Sequence, residues 1–510
     1  MNQITNVSLE QQPNYNPLIY SCLKSIKQEL PIVRRVLSEN GSSTVDEYTK
    51  DLFSAPKESY QNIKDLEEVI VRYTSPLLGS SIAYKAAAAI GTNKVALTTN
   101  HHGVDYFAQS VQGSLLFSLA SQCHSAIPVF ACGNIPLNNL TYPRGALIYQ
   151  ELANKNNSIP IKMPLFPDRL KRTSVSRVPA FNEQMIKKMQ KSLLQYEAKG
   201  GMNKHVVRIL LNILEQDYNQ ERLLNLTCYS DQSVLLNQRI WERIFSSGVN
   251  APPLIYLELE KIASLLLEYD LKNTESLAYL LLFNPAALSC LHFELRNING
   301  SGTFLFWGLD SMGRTFQLIY NKQANQLYGR SIKGELLTVN IEPLDIAQKI
   351  QGGQLLPSLF TSFLVVSLAR GITCAGGYYQ AEYLPKMQQA VAKALCISTE
   401  WTEIVQKIKS VNTQSYLSGM QVIMSQFKES ELLPAGPLEI IASGGLTASD
   451  IEQLRSVTVK SAHIASILET VADVIPSYFN KAEHFENMRI LMKETSLLLE
   501  GSNVVVKKIY

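Results

Sequence analysis

The sequence predicts a mixed α/β (α+β) protein, and three observations carry that reading. First, the apolar run Val95-Ala96-Leu97 ends in two threonines and breaks at Asn100-His101-His102-Gly103. Beyond the break, Val104, Phe107, Ala108, Val111, Leu115 and Leu119 fall three or four apart. That change of period marks a strand, a polar turn and a helix. Second, short alternating runs around 286–342 are separated by NINGSG, DSMGR, NKQAN and SIKG. Gly and Asn at such breaks are hairpin signals, so an antiparallel meander is expected. Third, sets such as Met185, Met189, Leu193 and Val206, Leu210, Leu214 repeat every four residues over the middle of the chain, as in helices.

In order, residues 1–78 read as a helical region behind a polar arm. Leu23, Ile26, Leu30 and Val33 have helical spacing, with Pro31 interrupting. Residues 79–180 form an α/β unit. It opens with the alanine-rich run Ser81–Ile90, which Gly91 should stop. Strands are expected at Val95–Thr99, Ala126–Cys132, Ala146–Tyr149 and Pro160–Phe166. Residues 181–285 read as helical, with a break at Asn250-Ala251-Pro252-Pro253 before a helix over Leu257–Tyr269. The meander occupies 286–342, with its first strand at Leu291–Arg296. Residues 343–510 read as mainly helical, including a buried helix over Leu355–Ala369 and helices over Trp401–Phe427. A strand at Leu438–Ala442 leads into a Gly-Gly-helix turn, and Asn503–Tyr510 is a candidate edge strand.

Composition narrows the function. At 510 residues and 46% hydrophobic, the chain is long enough for a large core. Its 47 basic and 44 acidic residues leave a net charge of +3, which argues neither for nucleic acid nor for an acidic partner, and no nucleic-acid partner is expected. No apolar run reaches the ~18 residues of a membrane span, and the polar first residues lack a signal-peptide pattern. Cysteines at 22, 123, 132, 228, 290, 374 and 396 form no CxxC pair. That scatter suits reduced thiols in a cytoplasm. A charged fraction of 18% leaves room for a homo-oligomer face. No GxSxG elbow, Walker loop or Rossmann fingerprint is present, and no cofactor is named by the sequence.

Three clusters are candidate site residues. In open α/β sheets ligands bind outside the carboxyl ends of the strands, which puts Asn100, His101, His102 and Asp105 at such an end. Imidazole near neutral pH donates, accepts or ligates. His101 or His102 is therefore the expected acid/base, with Asp105 one turn away as its orienter. A metal shared by His101 and Asp105 is a second reading, although no spacing matches a zinc motif such as HExxH. Adjacent side chains in extended backbone diverge, so only one histidine need face a ligand. The next loop carries Asn134, Asn138, Asn139, Tyr142 and Arg144, and Arg144 supplies a fork for carboxylate or phosphate. The basic loop 167–177 carries Asp168, Arg169, Lys171, Arg172 and Arg177, a further anion grip or a solvated face.

Two glycine turns complete the set. In Arg370–Pro385, Gly376-Gly377 permits close backbone approach, and Cys374 reads as a buried, inert thiol. In Ser443–Asp450, Thr447 and Asp450 fit a capping box. That run resembles the phosphate-binding loops near the end of TIM barrels, but the eight upstream βα units are lacking and the fold is not carried over. His124, His205, His292, His463 and His484 read as structural.

The leading expectation is thus a cytoplasmic enzyme acting on a small polar or anionic metabolite by histidine acid/base chemistry, with or without a metal. The alternative is a non-catalytic binding or scaffolding protein. Convergence of His102, Asn139 and Arg169 on one pocket favours the enzyme; dispersal favours the scaffold.

Overall fold

The computed structural model describes residues 17–54, 59–99, 101–120, 126–138, 145, 147–153, 157–296, 298, 303–428, 431–474 and 484–509. It is a mixed α/β protein. Its centre is a five-stranded parallel sheet of β1 (Val95–Thr99), β2 (Ile127–Ala131), β3 (Leu254–Glu258), β4 (Thr373–Gly377) and β5 (Tyr416–Ser418), ordered β5-β4-β1-β2-β3. Registers such as Leu97↔Val129, Ala96↔Cys374 and Pro128↔Ile255 fix the pairs. β1, β2 and β3 are buried along their whole length. This explains their continuous apolar runs, since both faces of a parallel sheet are covered.

The chain runs outward from β1 to β2 and β3, then returns to place β4 on the other side of β1 and β5 beyond it. The order therefore reverses between β1 and β4. Four helices start at or face the carboxyl ends of the strands: α1 (Ala108–Ala120), α2 (Leu259–Asp270), α3 (Tyr378–Leu395) and α4 (Ile467–Val474). A buried Arg370 ties this body to its helical N-terminal part. Its guanidinium donates to Asp65 and Asp270 and to the Val365 carbonyl.

Several elements differ from the sequence reading. Pro31 does split the first helical stretch, into Pro17–Glu29 and Pro31–Asn40. Gly91 does not stop its helix, which runs Ser80–Asn93 and ends at Lys94 in the left-handed conformation with φ of 49°. β3 lies where a helix was expected, and β4 and β5 interrupt stretches read as helical. Leu291–Arg296 is no strand: it falls within and just beyond the helix Pro285–Leu295, capped by the Asn284 side chain. Leu438–Ala442 is likewise helical, within Pro437–Ala442. Short apolar runs have no period of their own and take the state that the packing dictates. Leu355–Pro357 is a strand, followed by helical turns over Leu359–Phe363 and Leu364–Leu368.

The meander forms two three-stranded antiparallel sheets. Phe306–Leu309 pairs with Thr315–Gln317 and Leu355–Pro357, and Gln326–Arg330 pairs with Ile319–Asn321 and Leu336–Asn340. Leu147–Ala153 and Asn157–Met163 form a separate hairpin. The strand at Val505–Lys508 lies parallel to Ile423–Lys428. No helix among the described residues is long and apolar enough to cross a membrane.

Candidate functional site

At the reversal between β1 and β4, the strand ends open into a crevice of about 420 Å³. Ligands in open α/β sheets bind at this kind of position, because neighbouring loops leave in opposite directions and part. Thr98 and Thr99 end β1, and His101 follows them. Gln109 and Ser110 come from the first turn of α1, Gly377 ends β4, and Ser418 ends β5. Glu469 and Asp473 face them from α4, four residues apart and hence on one helical face.

The wall is tightly built. A Cβ at Gly376 would collide with the Thr98 hydroxyl and the Gln380 side chain, so only glycine lets β4 lie this close to β1. Thr98 donates to Gln380, whose amide donates to the Cys374 carbonyl. Thr99 and Ser110 hydroxyls meet at 3.3 Å. Tyr378 donates to Asp473 at 2.6 Å. Gln421 donates to Glu469 at 2.7 Å.

Burial pushes the Glu469 carboxyl up to about 7, reinforced by neighbouring Asp473 and resisted by hydrogen bonds from Gln421 and Gln109. Burial also pushes the His101 imidazole down to about 4. Near neutral pH the crevice thus holds an uncharged imidazole and a carboxyl that exchanges its proton. A titrating group near the working pH is what general acid–base catalysis requires.

The other sequence candidates are placed differently. His102 points away from its neighbour into the core and is 1% exposed. Its Nε2–H donates to the Ser230 carbonyl at 3.2 Å, while Nδ1 has no hydrogen-bond partner. Burial holds its pKa below the ordinary histidine value, against the pull of Glu258. Asp105 precedes α1 instead of lying in it. Its carboxylate accepts from the Tyr256 hydroxyl at 2.6 Å and from the Phe107 amide at 3.0 Å, and its own amide donates to Asn237. These bonds fold the turn that leads into α1.

The loop after β2 and the basic loop do run side by side. Asn138 donates its amide to the Lys171 carbonyl, and Leu137 to that of Thr173. None of the described residues of either loop lines the crevice, however. Asp168 pairs with Lys171 on the surface at 2.8 Å. Arg169 lines a separate cleft of about 710 Å³ with Lys162 and Lys188. Arg172 is exposed. Asn100, Asn139 and Arg144 lie outside the described residues. His102 and Arg169 therefore do not share a pocket.

Among the described residues, no group of three or more His, Cys, Asp or Glu is placed to hold a metal ion. The Ser443–Asp450 turn forms the expected capping box, with Asp450 also held by Lys507 at 2.7 Å. Its backbone is bonded to that of Ile244 and Ser246, which gives it a packing role. Cys374 is fully buried and its thiol is pushed up to about 12. Glu469 and Asp473 escaped the sequence reading, although two acids four apart within the apolar run ILETVADV were the available signal. No family model, curated protein or solved structure matches the chain.

Proposed function

We propose that this protein is an enzyme acting on a small polar metabolite held in the crevice between β1 and β4. The observation that carries the reading is the pairing, at a sheet reversal, of His101 with a carboxyl, Glu469, that titrates near 7. In this reading Glu469 gives or takes a proton at the reacting atom. Neutral His101 donates from one ring nitrogen or accepts at the other. The Thr99 and Ser110 hydroxyls and the first turn of α1 present donors to a carbonyl or oxyanion of the substrate. Glu469 and Asp473, opposite, receive its amine or hydroxyl. No lysine or arginine is among the described lining residues, so a molecule with both donor and acceptor ends suits the crevice better than a plain anion. The free cysteines among the described residues fit the proposed cytoplasmic location.

The competing reading is a binding protein without turnover, and the dispersal of His102 and Arg169 speaks for it. A thermal-stability screen against amino acids, hydroxy acids and amino sugars separates the outcomes. Stabilisation lost in both His101→Ala and Glu469→Gln supports the crevice. Conversion of the stabilising compound by wild type supports an enzyme, and binding without conversion favours the competing reading. Stabilisation that survives both substitutions removes the crevice from consideration.

A further inference from the structure

A second cavity, of about 630 Å³, lies beyond the carboxyl ends of β2 and β3 and shares no lining residue with the crevice. Its size is that of a small-molecule pocket. Its floor comes from the main sheet: Asn134 lies just past β2, and Glu260 is in the first turn of α2. Its roof comes from the meander and the helix Pro285–Leu295. There the His292 ring meets Phe304 and Tyr320 edge-on, with centroids 4.8 and 5.1 Å away, and those two rings lie tilted to each other at 5.8 Å, with Trp307 also in the lining.

The floor is rich in acceptors. Glu260 is 2% exposed, and its two carboxylate oxygens take the amides of Gly133 at 2.7 Å and Asn134 at 3.2 Å. The carboxylate also takes the amide of Glu260 itself, and of its roughly four lone-pair directions one stays open. The Asn134 side-chain oxygen is buried with no hydrogen-bond partner. A buried acceptor left unmatched costs free energy that a donor would recover. The titratable or charged groups facing Glu260 are Glu258 and the Cys132 thiol, with His292 across the cavity and Arg296 at the exposed rim. Burial and Glu258 push the Glu260 carboxyl up to about 7. A cation beside it would oppose that shift.

We propose that this cavity binds a primary amine with an apolar or aromatic body, its ammonium bonded to Glu260 and the Asn134 oxygen and its body among Phe304, Trp307 and Tyr320. An ammonium supplies three N–H donors, enough for the unmatched Asn134 oxygen and the open lone-pair direction of Glu260. Aromatic faces also attract a cation. The proposal is independent of the crevice.

Calorimetry on the full chain tests it with 2-phenylethylamine, the neutral 2-phenylethanol and the anionic 3-phenylpropionate. The amine should bind at least about 10-fold tighter than either analogue, a difference of about 1.4 kcal/mol. Glu260→Gln should abolish that preference. Asn134→Leu, which leaves the carboxylate in place, should weaken the amine about 10-fold and guards against a Glu260 variant that fails to fold. His101→Ala should change neither affinity nor preference. Equal binding of the three probes, absence of amine binding at about 1 mM, or a preference that persists in folded Glu260→Gln overturns the proposal.

Discussion

Two adjacent histidines should respond in opposite ways to the same substitution. His101 lines the crevice and His102 is 1% exposed in the core. Truncating a buried aromatic ring to alanine costs about 3–5 kcal/mol through lost burial and the cavity left behind. For His102→Ala that loss is joined by the lost hydrogen bond to the Ser230 carbonyl, worth about 1 kcal/mol, although that oxygen keeps the Ser233 hydroxyl as a donor at 2.7 Å. It is offset by removal of the Nδ1 atom, whose unmatched burial already costs about 1–3 kcal/mol. The net expectation is a destabilisation of about 2–4 kcal/mol. His101→Ala removes a partly exposed group and should stay within about 1 kcal/mol. Urea denaturation at neutral pH, followed by circular dichroism, should show a lower midpoint with an unchanged slope for His102→Ala and nearly the wild-type curve for His101→Ala. Equal midpoints for the two variants would refute the divergent placement of the rings.

Four further expectations follow from the same structure. Glu469, raised to about 7 in the fold, binds more protons than in the unfolded chain between the ordinary glutamate value of 4.5 and 7. Its stabilising contribution is therefore full below 4.5 and lost as pH rises through 7, and Glu469→Gln should flatten the stability–pH curve there. His101, lowered to about 4, acts in the other direction: its contribution is present above 6.5 and lost as pH falls through 4, a slope that His101→Ala should remove. Arg370→Leu should destabilise by about 3–5 kcal/mol in chemical denaturation, because it leaves Asp65 and the buried Asp270 without their cation; a loss under about 1 kcal/mol contradicts the buried pairing. Arg169→Ala and Arg172→Ala should leave binding in the crevice unchanged at low and high salt, since Arg169 lines another cleft and Arg172 is exposed.

What the sequence disclosed follows from which signals are local. The β1–turn–α1 unit was legible because Val95–Thr99 is apolar and Gly103 precedes a change of period. The meander was legible through its Gly and Asn turns, and the capping box through Thr447 and Asp450. β3, β4 and β5 were not legible: each is only three to five residues long and covered by packing, so none alternates. Without them the strand reversal, and hence the position of the crevice, could not be placed. Histidine chemistry singled out the turn that borders the crevice, but nothing local distinguished His101 from His102. That distinction comes from Ser230 and Cys132, whose carbonyls hold the His102 ring and amide and are remote in sequence. The anion grip assigned to Arg169 lies outside the crevice: its exposed side chain lines a cleft shared with the helix Glu183–Ala198, which is remote in sequence from the β1 turn.

The most direct measurement is selective retention. Wild-type protein, His101→Ala and Glu469→Gln are each immobilised and equilibrated with a mixture of small polar metabolites, and the retained molecules are identified by mass spectrometry after elution. At least one molecule carrying both donor and acceptor groups should be retained by wild type and absent from both variants. An identical retained set for all three proteins, or no retained molecule on wild type, would contradict a ligand site at the reversal between β1 and β4.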